Sequence, residues 1–216
     1  MKILATLLLT LSLCLAASSP QAEPAALQPF AVPDEAQSEA AARVVVEAFH
    51  EVLLDCMKQA DALGFRGRYE RIAAALDERF DVPFMARLSV GAAWKELAPQ
   101  QRTDFVDLSH QLSASSYAHN FDGYADQNFE TRSSAPGARG TMVVKTEFVQ
   151  PGDSDVKFDY RLRWAGDRWR IIDVHLDGRI SEITLRRAQF RSLIEREGFP
   201  ELVRTVEERI EELSEG

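Results

Sequence analysis

Between residues 157 and 164 the chain alternates strictly. Phe158, Tyr160, Leu162 and Trp164 fall on one side, and Lys157, Asp159, Arg161 and Arg163 on the other. A period of two over eight residues predicts a half-buried strand. One face of its sheet must therefore be covered while the other meets water. Ala165-Gly166-Asp167 supplies a turn. A second strand follows over 168–176, apolar on both faces at Ile171-Ile172, which predicts a central position. Asp177-Gly178 stops it. The period then becomes helical, with Ile183, Phe190 and Ile194 on one stripe and Arg186, Arg187, Arg191 and Arg196 around the others. Gly198 ends that helix and Pro200 opens the last one. A hairpin that feeds a helix able to fold back predicts a space with one wall of sheet and one of helix.

The rest of the chain extends this plan. A helix is predicted over 36–63, with Val45, Phe49, Val52, Leu53 and Cys56 as its stripe and Gly64 as its stop. A second covers 67–80. Asp81 caps a short third helix that starts near Pro83, carries Phe84, Met85 and Leu88, and ends at Gly91. A fourth runs from Pro99 to Asn120, with Phe105, Leu108, Leu112 and Ser115 or Ser116 inward. Two further strands are expected over 128–132 and 141–149, separated by a turn region over 133–140. Segregated helices and strands predict an α+β domain. The expected form is a four-stranded curved antiparallel sheet, an NTF2-like cone, covered by the N-terminal and C-terminal helices with an apolar pocket between.

The first residues stand apart. Lys2 precedes an almost unbroken apolar run to Ala17, followed by small residues, the pattern of a signal peptide over residues 1–22. The run is too short for a comfortable membrane span. Residues 23–35, with three prolines and no period, read as a flexible linker, and 36–216 as a single domain. Leu11-Ser12-Leu13-Cys14 has the outline of a lipoprotein site, but Leu13 stands where a small residue is wanted. With Cys14 removed, Cys56 is left alone, so a disulfide framework is excluded and Cys56 reads as a small buried residue. The net charge of −9 argues against nucleic acid as a partner.

Catalytic and metal patterns are absent from the sequence. There is no nucleophile elbow, phosphate loop or dinucleotide fingerprint. His50, His110, His119 and His175 lie in no metal-ligand spacing and read as surface or capping residues. Asp173, flanked by Ile172 and Val174, must be paired or near solvent, and Arg170 and Arg179 are its expected partners. The alternative is a small-molecule enzyme of isomerase or dehydratase type, with Asp173 or His175 as general base at the mouth of the cone. Arg186, Arg187 and Arg191 read most simply as a solvated helix face, and otherwise as a contact for an anionic partner or lipid headgroup. Tyr117, Phe121, Tyr124, Phe129, Phe148, Phe158, Tyr160 and Trp164 collect where the fourth helix meets the sheet. That apolar supply suits a carrier of an apolar ligand.

Three segments carry a resemblance: FDVPFMARLSVGAAWKELAPQQRTDFVDL (80–108), SYAHNFDGY (116–124) and DVHLDGRISEITLRRAQFRSLIEREGFPELV (173–203). Together they resemble the toluene-tolerance, or MlaC, family of periplasmic auxiliary components of ABC-type lipid transport. MARLSVGAAW, FDGY and LDGRISE are most similar to its hopanoid-associated HpnM branch. The resemblance implies a non-enzymatic periplasmic carrier, without cofactor or metal. It would move a phospholipid or hopanoid-type lipid between inner- and possibly outer-membrane transport components, as a monomer. The family offers no compact ligand motif. The expected lining, Phe84, Met85, Leu88, Tyr117, Phe121, Phe148, Tyr160, Leu162, Val174 and Phe190, therefore comes from the faces read above. Withdrawing one acyl chain of about sixteen carbons from a bilayer costs roughly 12 kcal/mol, at about 0.8 kcal/mol per methylene. A carrier must return most of that by enclosure.

Overall fold

The computed structural model describes residues 39–215. The expected signal peptide, Cys14 and the linker lie outside the described residues. Four helices come first: α1 (Glu39–Lys58), α2 (Ala60–Arg79), α3 (Val82–Val90) and α4 (Pro99–Asn120). A sheet of β1 (Asn128–Pro136), β2 (Met142–Val149), β3 (Val156–Trp164), β4 (Trp169–Leu176) and β5 (Ile180–Ser181) follows, then α5 (Glu182–Glu197) and α6 (Phe199–Glu215). The strands pair antiparallel in chain order, as a meander.

The sheet has five strands, not four. Asp177 and Gly178 both take positive φ, and Arg179 N–H returns to the Leu176 carbonyl at 3.1 Å. Asp177-Gly178 thus forms the centre of a tight turn in a three-residue hairpin loop, 177–179, rather than a stop. Its return strand is only two residues long and leaves no periodic signal. A second difference is β1, which continues to Pro136 through a bulge at Arg132. This edge strand is exposed or half-buried throughout, so no alternation marks its end. In β4, Arg161 faces Asp173 while Leu162 faces Ile171. Ile172 is therefore an extra residue in a bulge, and the apolar pair at 171–172 owes part of its burial to that bulge.

The inner sheet face carries Met142, Val144, Thr146 and Phe148 of β2, Tyr160 and Leu162 of β3, and Ile171 and Val174 of β4. Helix α1 lies against it with Ala42, Val46, Phe49, His50 and Leu53. The helical hydrogen bonding of α1 carries through Gln59 to Leu63, as expected, and the break falls at Gly64 (φ 58°, ψ −175°). Arg68, buried beyond that kink, donates to the carbonyls of Ala60 and Ala118, tying both halves to α4. Helix α4 is gripped on two sides. Ala114, Ser115 and Ala118 face the first apolar cluster or its border, while Phe105, Leu108 and Leu112 join Leu202, Val206 and Leu213 of α6 in a second. Phe190 belongs to the second cluster, against Phe105.

Candidate functional site

Where the two apolar clusters meet, a cleft opens among α2, α3, α4 and α5. Each wall is one face of a helix. Val82, Met85, Ala86 and Ser89 of α3 face Ser109, Ser113 and Tyr117 of α4, with Leu76 and Phe80 of α2 beside them. Residues three, four and seven apart share a helix face, so the spacing alone explains these rows. Glu182, Ile183 and Arg186 of α5 form the remaining rim. The cleft spans about 400 Å³ with its open mouth included, and its enclosed part has room for about one water. No sheet residue lines it. The expected sheet wall is already covered by α1.

Helix α3 is only nine residues long and is held at both ends. At its start, Asp81 Oδ1 accepts the Phe84 N–H at 3.1 Å, as its predicted capping role requires. Asp81 Oδ2 accepts Arg163 Nε at 2.5 Å, and the Arg163 guanidinium lies 4.6 Å above the Phe84 ring. The Asp81 N–H donates to the Ile171 carbonyl at 2.8 Å. Arg170 Nη1 donates to the carbonyls of Asp77 and Phe80. The α2–α3 corner is thus fixed to β3 and β4. At its end, Gly91 has φ 68°, and a Cβ there would stand 3.1 Å from Arg187 Nε. Glycine lets this arginine lie over the helix C-terminus, where a cation is favoured.

The ten expected lining residues separate. Met85 and Tyr117 line the cleft. Phe121, Phe148, Tyr160, Leu162 and Val174 are packed in the first cluster, and Leu88 is half-buried against it. Phe190 lies in the second cluster, and Phe84 sits under Arg163. The three arginines do not form one solvated face. Arg186 is only 16% exposed, bonded to Glu182 at 2.5 Å and reaching Ser113 Oγ at 3.4 Å. Arg187 covers Gly91 yet stays exposed, and Arg191 is exposed and paired with Glu195.

Asp173 is partnered, but by neither Arg170 nor Arg179. Its carboxylate accepts Ser181 Oγ at 2.7 Å and the Ile183 N–H at 3.2 Å, so it secures the start of α5. His175 Nε2 lies 3.7 Å from it. Neither residue lines the cleft, which removes the geometry that a general base there requires. His110 bonds the Ala73 carbonyl inside α2 and lies 3.2 Å from Asp77, while His119 caps the last turn of α6 at the Leu213 carbonyl. His50 departs from expectation. It is buried, stacked on Phe129 at 3.9 Å, with Nε2 3.1 Å from the Tyr160 hydroxyl. Burial pushes its pKa down to about 3, so the ring is neutral. The helical phase of Val46, Phe49, Leu53 and Met57 includes position 50, and that was the available signal. Cys56 is buried as expected, and burial raises its thiol pKa.

A family model described as MlaC protein matches residues 47–208. The chain belongs to the MlaC family. No curated protein matches it significantly. Among solved structures, a phospholipid-binding protein from Ralstonia solanacearum, solved in complex with a phospholipid, is similar. The TM-score is 0.70 at 20% identity, covering 80% of this chain and 98% of the other. At that identity the likeness establishes the shared fold: helices on an open antiparallel sheet, as in this MlaC-family chain.

Proposed function

We propose that this MlaC-family protein is a periplasmic lipid carrier that moves a phospholipid or hopanoid-type lipid between membrane-bound transport components. The observation that carries the reading is the cleft itself, an apolar floor of Leu76, Phe80, Val82, Met85 and Ile183 beneath a polar rim of Glu182 and Arg186. A lipid has the same division. The phospholipid bound by the Ralstonia relative of the same fold supports the ligand class.

The cleft as described is closed to an acyl chain. Loading requires α3 and α5 to part, letting chains enter along the seam between the two apolar clusters. Helix α3 is suited to this because it is nine residues long and lies on that seam, with Met85 in the first cluster and Ala86 and Val90 in the second. Met85 would then meet the chains first. Phe121, Tyr160, Leu162 and the other inner residues would become lining only as the seam widens. Arg191 and its solvated neighbours remain available for an anionic partner surface.

Transfer between vesicles tests the proposal. Mature protein should accelerate movement of a fluorescent phospholipid from donor to acceptor vesicles, in proportion to protein concentration. Tryptophan at Met85 should abolish the acceleration. Transfer no faster than the spontaneous rate would overturn the carrier reading.

A further inference from the structure

The polar rim of the cleft is neither a simple cation site nor a simple anion site. Glu182 and Arg186 stand one turn apart on α5, bonded at 2.5 Å, with side chains 23% and 16% exposed. The same helix carries a second such pair, Arg191–Glu195, which is 73% and 61% exposed. Surface pairs of that kind contribute little. The rim pair differs in being held over Phe80, Met85 and Ile183, where removing charge from water is costly unless hydrogen bonds replace the lost hydration.

The protein supplies part of that replacement; no side-chain atom of Glu182, Arg186 or Tyr117 is both buried and unpaired among the described residues, so the remaining donors and acceptors stay open to water. A guanidinium has five N–H donors, and Arg186 directs them only at Glu182 and, at 3.4 Å, at Ser113. Among the described residues, the Glu182 carboxylate accepts from Arg186 alone. Tyr117, which lines the same cleft, has a hydroxyl without a hydrogen-bond partner among the described residues. Its burial, with Tyr160 and Glu182 adding, raises the phenol pKa well above the ordinary range, so it stays a neutral donor and acceptor. Spare donors and spare acceptors therefore face one opening within a few side chains of each other.

We infer that the cleft mouth selects a zwitterionic lipid headgroup, one bearing both a phosphodiester and a primary ammonium. This rests on the carrier reading and adds a headgroup class to it. The phosphodiester oxygens accept from Arg186 and Tyr117, and the ammonium donates to Glu182. A purely anionic head gains the first contact but offers Glu182 no cation. A quaternary ammonium keeps the charge match but has no N–H to donate. Charge-assisted bonds are among the strongest polar contacts, so the loss is felt in affinity.

The test is competition. Delipidated mature protein is incubated with vesicles of equal parts phosphatidylethanolamine, phosphatidylcholine and phosphatidylglycerol, reisolated, and its lipid quantified by mass spectrometry. The wild type should enrich phosphatidylethanolamine on the order of tenfold over the other two, the effect of one charge-assisted hydrogen bond. Glu182→Gln should abolish the preference over phosphatidylglycerol. Tyr117→Phe, which removes only a hydroxyl, should lower all three phospholipids together, so the inference has a test even if Glu182→Gln does not fold. Normal load with the vesicle composition unchanged in the wild type would overturn the headgroup inference and leave the carrier standing. Absence of all lipid would overturn the carrier itself.

Discussion

The buried His50–Tyr160 pair makes stability depend on pH in a defined window. The folded chain holds His50 neutral down to about pH 3, whereas the unfolded chain protonates it around its ordinary value of 6.5. The folded value lies below the unfolded one. The stability it contributes is therefore complete above about pH 6.5, declines as pH falls through the window, and levels off near 3. Each full pH unit inside the window costs about 1.4 kcal/mol, so lowering pH from about 7.5 to about 5 removes roughly 2 kcal/mol through this residue. His50→Phe preserves a ring against Phe129 but strands the Tyr160 hydroxyl, at a cost of about 1–3 kcal/mol. Adding Tyr160→Phe removes the stranded group and should recover most of that cost. Urea denaturation across this pH range, on wild type and double variant, isolates the histidine from every other titration. The double variant should lose about 2 kcal/mol less than the wild type on acidification. Equal losses in the two proteins would refute the reasoning.

Three other outcomes follow from the packing and the clamps. Leu162→Trp, in a filled core position, should destabilise by about 1–3 kcal/mol, while Met85→Trp at the cleft should cost less and remove bound lipid; equal melting losses would contradict the distinction. Asp81→Ala removes both the cap of α3 and the partner of Arg163, and should cost about 3–5 kcal/mol in thermal or chemical unfolding, far more than a cap alone. Arg191→Glu should leave melting almost unchanged, because that side chain is solvated, and should slow lipid transfer most at low salt; a salt-independent rate would remove Arg191 from docking.

The sheet was legible where one face is buried. Alternation at 157–164 marks β3 almost residue for residue, because Tyr160 and Leu162 are enclosed while Lys157 is exposed. It fails at β1, whose edge position buries too little to write a pattern. It fails again at β5, where a two-residue strand depends on the Asp177-Gly178 turn and not on periodicity. The caps read correctly from single residues: Asp81 before α3, Gly91 and Gly198 after α3 and α5. The site was harder. Faces predict which residues point inward, but whether an inward residue meets a neighbour or a cleft depends on which element covers it. Helix α1 packs directly on the sheet face where a pocket between sheet and helices is expected, so Tyr160 and Val174 are core while Ser109 and Ser113, polar residues four apart, line the cleft. Arg68 and His50 were missed for a related reason. Each has a polar partner across a long sequence separation, Arg68 at Ala118 and His50 at Tyr160.

The carrier account turns on whether lipid enters this fold. Native mass spectrometry of the protein, isolated without detergent, tests it most directly. The account predicts a species heavier than the bare chain by one lipid, which is released as an identifiable lipid on activation, and its loss in Met85→Trp with the fold intact. A wild type that flies only at the mass of the bare chain, before and after incubation with phospholipid vesicles, would contradict the account.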